Sequence, residues 1–344
     1  MKRKLLSLLI IIFLCFSSWG CKPVEKEDFG ACALPAILIT DETGFDGDYA
    51  VPATWQAMAK YYIDHNLNVD CIENVQAYGE EDYEKTVSSA IFAEKDLIIT
   101  ASPVFKDIIE KLATDNFQQK FVTIGYIVDK PNVISVSFSQ FDAGFLIGLA
   151  GALSGSAEQQ NSFGFVDIQG SEEYKAYYDG YTRGIKEIIP NANIDVLMVK
   201  STDDPMAAKM MAEELATKDY FVIFDPVLES VEFINNEVLN MAAAGHKMWL
   251  IGNDPSYYNF GMTDNSPSLV LTSIVNDYEV AIDTILDSII DDSFIGGAVN
   301  TMNFSILNGG VSIDLFGGRN LNVGHIDTIK EYINKVKVGD ISLE

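Results

Sequence analysis

From residue 36 onward, short apolar runs alternate with amphipathic stretches of helical period. Ile37-Leu38-Ile39 is unbroken and apolar, the pattern of a strand covered on both faces. A turn of small and acidic residues, 41–48, leads into a helix carrying Trp55, Met58 and Tyr62. The unit then repeats. Residues 68–72 read as a strand and 82–94 as a helix. Residues 96–100 read as a strand, and Ser102-Pro103 opens a helix over 104–113. Residues 120–124 and 133–138 are strands around the turn Asp129-Lys130-Pro131-Asn132. Strands alternating with helices of this length predict parallel sheets joined by right-handed crossovers.

Residues 141–153 form a helix rich in small residues, with Gly144, Gly148 and Gly151. Glycine weakens a helix, so close packing against another element is the expected compensation. The run is too short to cross a membrane. A polar break over 155–161 is the candidate boundary after a crossing between lobes. A second series follows, with strands at 162–166, 194–199, 221–224, 248–251 and 269–274. Helices are expected at 172–188, 205–216, 228–244 and 277–290, the third stopped by Gly245. Strands flank Asn308-Gly309-Gly310, and 326–336 is a terminal helix. Two series of similar length point to two lobes.

The first twenty residues stand outside this pattern. Lys2, Arg3 and Lys4 precede an apolar run, 5–16, of signal-peptide length. Ser18-Trp19-Gly20-Cys21 follows, similar to a bacterial lipobox, which makes Cys21 the candidate lipid anchor. A plain secretory signal is the alternative. A charged tether, 21–33, would join the anchor to the fold. The chain is 48% hydrophobic with a net charge of −27, and loss of the basic leader takes it to about −30. Such a surface disfavours nucleic acid as a partner. Cys32 and Cys71 either pair in an oxidising compartment or remain free thiols. No spacing suggests a metal or a cofactor.

Catalytic machinery is missing from the sequence. There is no GxSxG, GxGxxG, GxxxxGK[ST] or HExxH pattern. His65, His246 and His325 each fall at the end of an expected helix, where capping or solvation accounts for them. Asp203-Asp204 and Asp291-Asp292 read as caps or solvated faces rather than acid–base pairs. Binding without conversion is therefore expected, and the chain is not read as an enzyme. In open α/β sheets ligands sit past the carboxyl ends of strands, and the 41–48 turn is the first such end. Its carboxylates disfavour an anion and accept hydrogen bonds from hydroxyls or amines.

Several segments, in order, resemble one family. They are Ile39-Thr40-Asp41 with Gly44 and Trp55; Asp129-Lys130-Pro131-Asn132-Val133; Ala143-Gly144-Phe145-Leu146 with Gly148; and Gly164-Phe165-Val166. Gly180 and Gly184, Ile251-Gly252 with Asp254, Leu271-Thr272-Ser273, and Asn308-Gly309-Gly310-Val311 complete the set. The chain resembles the basic membrane protein family of solute-binding lipoproteins, which serve ABC importers and include purine-nucleoside binders of spirochaetes. The resemblance implies a two-lobed type I periplasmic-binding-protein fold, α/β in each lobe, with three hinge crossings. The lobes expected from it are 34–139 with 255–299, and 140–254 with 300–344. It implies a monomer, lipid-anchored on the extracytoplasmic side of the cell membrane, that hands a nucleoside or similar neutral solute to a permease.

The ligand residues expected are Phe45, Asp46, Asp48, Tyr49, Ser102, Asp254, Tyr257 and Asn276. Phe45, Tyr49 and Tyr257 would flank a ring, and the polar members would meet hydroxyls or amines. Asp254 matches the family's ribose-binding Asp. The sequence departs from the family where its base-reading Asp falls on Gly125, its ribose loop on 226–230 and its late Lys on Asn276. The rival reading is a surface or sensory lipoprotein of the same fold that binds a protein or signalling ligand instead.

Overall fold

A computed structural model describes residues 32–199, 217–227, 231–262, 267–315 and 320–343, with Met206, Met210 and 213–215 besides. The expected leader, the candidate anchor Cys21, most of the tether and most of the helix expected at 205–216 lie outside the described residues.

The first lobe is built on β1 (Ala36–Thr40), β2 (Ile72–Gln76), β3 (Leu97–Thr100), β4 (Lys120–Ile124) and β5 (Val133–Phe138). Its helices are α1 (Ala50–Asp64), α2 (Glu80–Phe92) and α3 (Lys106–Asp115). The second holds α4 (Gln140–Ala157), β6 (Ser162–Ile168), α5 (Lys175–Ile188), β7 (Asn193–Val199), β8 (Val222–Phe224), α6 (Val231–Ala243), β9 (Trp249–Gly252) and β10 (Val270–Asn276). Then come α7 (Tyr278–Ile290), β11 (Met302–Phe304), β12 (Val311–Ile313) and α8 (Val323–Lys337). The sheet orders are β11-β5-β4-β3-β1-β2 and β12-β10-β9-β8-β6-β7. Every pairing is parallel except that of β10 with β12. β1 and β3 are buried along their whole length, as sheets covered by helices on both faces require.

Two expectations are corrected. The strand expected at 68–72 begins at Ile72, because the Asn68 side chain accepts a hydrogen bond from the Asp70 amide at 3.0 Å and turns 69–71 into a 3₁₀ helix. The expected lobe boundaries misplace two strands. β10 pairs with β9 in the second sheet, whereas its residues were assigned to the first lobe. β11 pairs with β5 in the first sheet, whereas its residues were assigned to the second. A strand's own residues set its burial but not which sheet receives it.

The chain therefore crosses between lobes after Phe138, after Asn276 and between Phe304 and Val311, ahead of the polar break expected at 155–161. These crossings are tied together. The Ser139 amide donates to the Phe304 carbonyl at 2.7 Å, and the Asp277 amide to the Gly310 carbonyl at 2.8 Å. The buried Asp142 carboxylate accepts the Ile306 amide at 2.8 Å.

Gly144 and Gly148 of α4 meet the expected close neighbour, whereas a Cβ on Gly151 would find ordinary contact with Val222 at 3.6 Å. A Cβ on Gly144 or Gly148 would lie 2.3 or 2.4 Å from the carbonyl oxygens of Tyr177 and Tyr181. On α5, a Cβ on Gly180 or Gly184 would lie 2.1 Å from the carbonyl oxygens of Phe141 and Phe145. The helices thus touch backbone to backbone, and their approach fixes Phe141 and Tyr177 at the sheet's carboxyl edge. The first lobe carries the Cys32–Cys71 disulfide, with Cα atoms 5.5 Å apart. Among the described residues no helix is long and apolar enough to cross a membrane.

Candidate functional site

The two sheets turn their carboxyl ends toward one cavity of about 610 Å³, within the roughly 300–1,000 Å³ usual for small-molecule sites. The first lobe contributes Asp48 from the turn before α1, Ala101 and Pro103 after β3, Gly125 after β4, and Tyr278 at the start of α7. The second contributes Phe141, Glu173, Tyr174 and Tyr177 from the amino ends of α4 and α5, Pro226 after β8, Asn253 after β9 and Asn276 at the end of β10. Phe138 and Ser139 line the crossing between them. A separate open hollow of about 530 Å³ lies at the amino ends of β3 and β4, around 94–96 and 115–120. It draws on one lobe and on exposed loop groups.

Rings wall the cavity. Tyr278 packs edge-on to Tyr49 at 6.3 Å and against Phe138 at 5.0 Å, and Phe138 lies 5.7 Å from Phe304. This row follows the hinge. On the other side Tyr177 stands edge-on to Phe224 at 5.7 Å. Burial pushes the Tyr177 hydroxyl up to about 12. Burial and then the Asp48 carboxylate drive Tyr278 well above the usual phenol range, with Tyr177 and Asp254 adding to the rise and a hydrogen bond with Asn276 opposing it. Both stay protonated at neutral pH and present O–H donors.

Of the eight expected ligand residues, the cavity brings together Asp48 and Asn276. Asp48 is exposed at the rim, and its Oδ1 accepts the Ala50 amide at 2.9 Å. Asn276 lines the cavity and also a neighbouring hollow of about 300 Å³. Tyr49 lines that second hollow instead. Its hydroxyl is raised by burial and by the Asp254 carboxylate. Asp254 accepts the Ser256 amide at 2.7 Å and caps the turn that follows β9. Tyr257 leans on the second lobe's core, and burial, Asp254 and Asp225 push it up to about 12. Ser102 is buried and bonds the Asp41 carboxylate. Phe45 stands edge-on to Trp55 at 6.4 Å, and Asp46 is exposed on the same short turn. Neither lines the cavity.

The sequence reading missed Phe138, Phe141, Glu173, Tyr174, Tyr177, Asn253 and Tyr278. One signal pointed to two of them. Gly180 and Gly184 facing Gly144 and Gly148 require α4 and α5 to meet, and that contact carries Phe141 and Tyr177 to one strand end. Gly125, Pro226 and Asn276, where the resemblance places family ligand residues, all line the cavity.

Comparison with known proteins agrees with this geometry. Residues 36–340 match the model of a family described as ABC transporter substrate-binding protein PnrA-like. The CD4+ T-cell-stimulating antigen of Listeria innocua is 23% identical over 343 residues, covering 97% of this chain and 94% of its own. The ABC transporter nucleoside-binding protein BmpA of Lactococcus lactis subsp. cremoris is 23% identical over 291 residues, 82% of each chain. Among solved structures, an ABC transporter solute-binding protein from Aeropyrum pernix superposes with a TM-score of 0.64 at 16% identity, covering 89% of this chain and 92% of that one. One from Conexibacter woesei does so at 0.67 and 15%, covering 91% and 99%. The fold is that of the type I periplasmic-binding proteins.

Proposed function

Since this chain belongs to the PnrA-like family of ABC transporter substrate-binding proteins, we propose that it captures a nucleoside-like solute bearing no negative charge and delivers it unaltered to a permease. The observation that carries this reading is the cavity built from both lobes at the strand carboxyl ends, walled by rings and edged with amides and carboxylates. Rings hold a flat base by stacking and edge contacts. Tyr278 and Asn276 meet polar edges, and Asp48 accepts from hydroxyls. We keep Asp254 in the site on its match to the family's ribose-binding Asp and its place in the turn after β9, beside Asn253. Closure of the lobes on the ligand is the change a permease would read. We assign Cys21 as the lipid anchor on the extracytoplasmic face, on the Ser18-Trp19-Gly20-Cys21 motif.

Thermal unfolding with adenosine, guanosine, inosine and uridine, each with its 5′-monophosphate, tests the reading. A ligand at a hundred times its Kd stabilises the folded chain by about 2.7 kcal/mol. At least one nucleoside should raise Tm while its monophosphate does not. No response to any nucleoside would overturn the proposal.

A further inference from the structure

The cavity's charged groups are unbalanced. Among the described lining residues there is no Lys, Arg or His, and the charged ones are two carboxylates, Asp48 from the first lobe and Glu173 from the second. Neither forms an ion pair with a described residue. Asn253 adds an acceptor, since its buried Oδ1 has no hydrogen-bond partner among the described residues. Buried acceptors without partners are costly, so a donor is missing at that point. The rings of Phe138, Phe141, Tyr177 and Tyr278 line the same space, and the face of an aromatic ring carries the negative potential that attracts a cation. Aromatic walls with carboxylates at the rim are the chemistry that recognises an ammonium group.

The geometry points to a cationic ligand: the solute held in this cleft carries a protonated amine, seated against the rings and between Asp48 and Glu173. This rests on the cleft being the ligand site, as proposed above, and adds the ligand's charge. The net charge of −27 favours the encounter of such a solute over that of an anion.

Calorimetric titration of the purified chain with a matched pair tests it. The pair is adenosine and 5′-amino-5′-deoxyadenosine, which is protonated at neutral pH, with spermidine and ribose as nucleoside-free probes. The aminated nucleoside should bind at least about tenfold tighter than adenosine. That ratio should fall below about threefold in the Asp48→Asn, Glu173→Gln double variant. It should also shrink between 50 and 500 mM salt, as screening requires. Adenosine binding as tightly as its amine would overturn the cation while leaving the nucleoside reading intact. Spermidine binding through the two carboxylates, with no nucleoside bound, would uphold the cation and remove the nucleoside. A ratio that survives the double variant, or no binding by any probe, would overturn the inference.

Discussion

The two lobes share one strand order and deliver side chains to the cleft by different means. In the first, α1 packs on α7 through large side chains: Met58, Tyr61 and Tyr62 with Ile282, Ile285 and Leu286 in one cluster. Its contribution to the cleft comes largely from turns, at Asp48, Ala101 and Gly125. In the second, α4 and α5 meet through four glycines with no room for a Cβ, and that contact sets Phe141 and Tyr177 in place. The same strand order therefore carries one interface that can repack and one that cannot. Shape is shared, while tolerance to substitution should differ.

The largest effect should come from filling the glycine contact. Gly184→Val puts a Cβ 2.1 Å from the Phe145 carbonyl oxygen. Overpacking typically costs about 1–3 kcal/mol and occasionally more. Because backbone itself must move here, urea unfolding should show a loss of at least about 3 kcal/mol. Met58→Leu on α1 should cost under about 1.5 kcal/mol, as a swap of similar volume does. Equal losses at the two sites would remove the contrast between the lobes.

A smaller effect is expected from the disulfide, which closes a loop with a sequence separation of 39 in the first lobe. Replacing both cysteines, as Cys32→Ser with Cys71→Ala, should cost about 2–4 kcal/mol. The loss should appear in the first lobe's amide-exchange protection and leave the β6–β9 sheet protected. A uniform fall across both lobes would show that they unfold as one unit.

The smallest effect concerns acid sensitivity. Burial holds the second lobe's His325 below its ordinary 6.5. The folded state then binds fewer protons than the unfolded one, so stability is lost as pH falls through 6.5. In the first lobe, burial alone would raise Asp41, but hydrogen bonds from Ser102, Thr43 and Gly44 outweigh it and hold the carboxyl below 3.8. That contribution is present above 3.8 and is lost only as pH falls lower. His325→Asn should flatten the decline of Tm between pH 7 and 5 and leave the steeper acid limb untouched. An unchanged slope would remove His325 from the account of acid sensitivity.

The alternation of strands and helices was legible because burial on both faces writes unbroken apolar runs, as in Ile37-Leu38-Ile39 and Leu97 to Ile99. The glycine spacing on α4 likewise announced a close neighbour. Strand allocation at the hinge was not legible. Leu271 and Phe304 look alike as buried apolar residues, and only pairing over long separations assigns them to different sheets. The cavity's lining was legible at two of the eight expected positions. Asp48 and Asn276 were read as candidates from their places near strand ends, and both line the cavity. Tyr177 was hidden within Tyr174-Lys175-Ala176-Tyr177-Tyr178, where a single residue step separates a ring in the cleft from one packed on Phe165 at 5.3 Å. Tyr49 was drawn into the cleft on its position after β1, whereas its ring turns to the neighbouring hollow beside Tyr278.

Capture between the lobes is tested most directly by calorimetric titration of one binding nucleoside against the parent chain, Asp48→Ala and Tyr177→Ala. One variant removes a first-lobe group and the other a second-lobe ring. Single-site binding is expected in the parent, with each variant weakening it by at least about tenfold, as loss of a charged hydrogen bond or of a stacked ring does. Affinity unchanged by one or both substitutions would contradict a ligand held by both lobes at once.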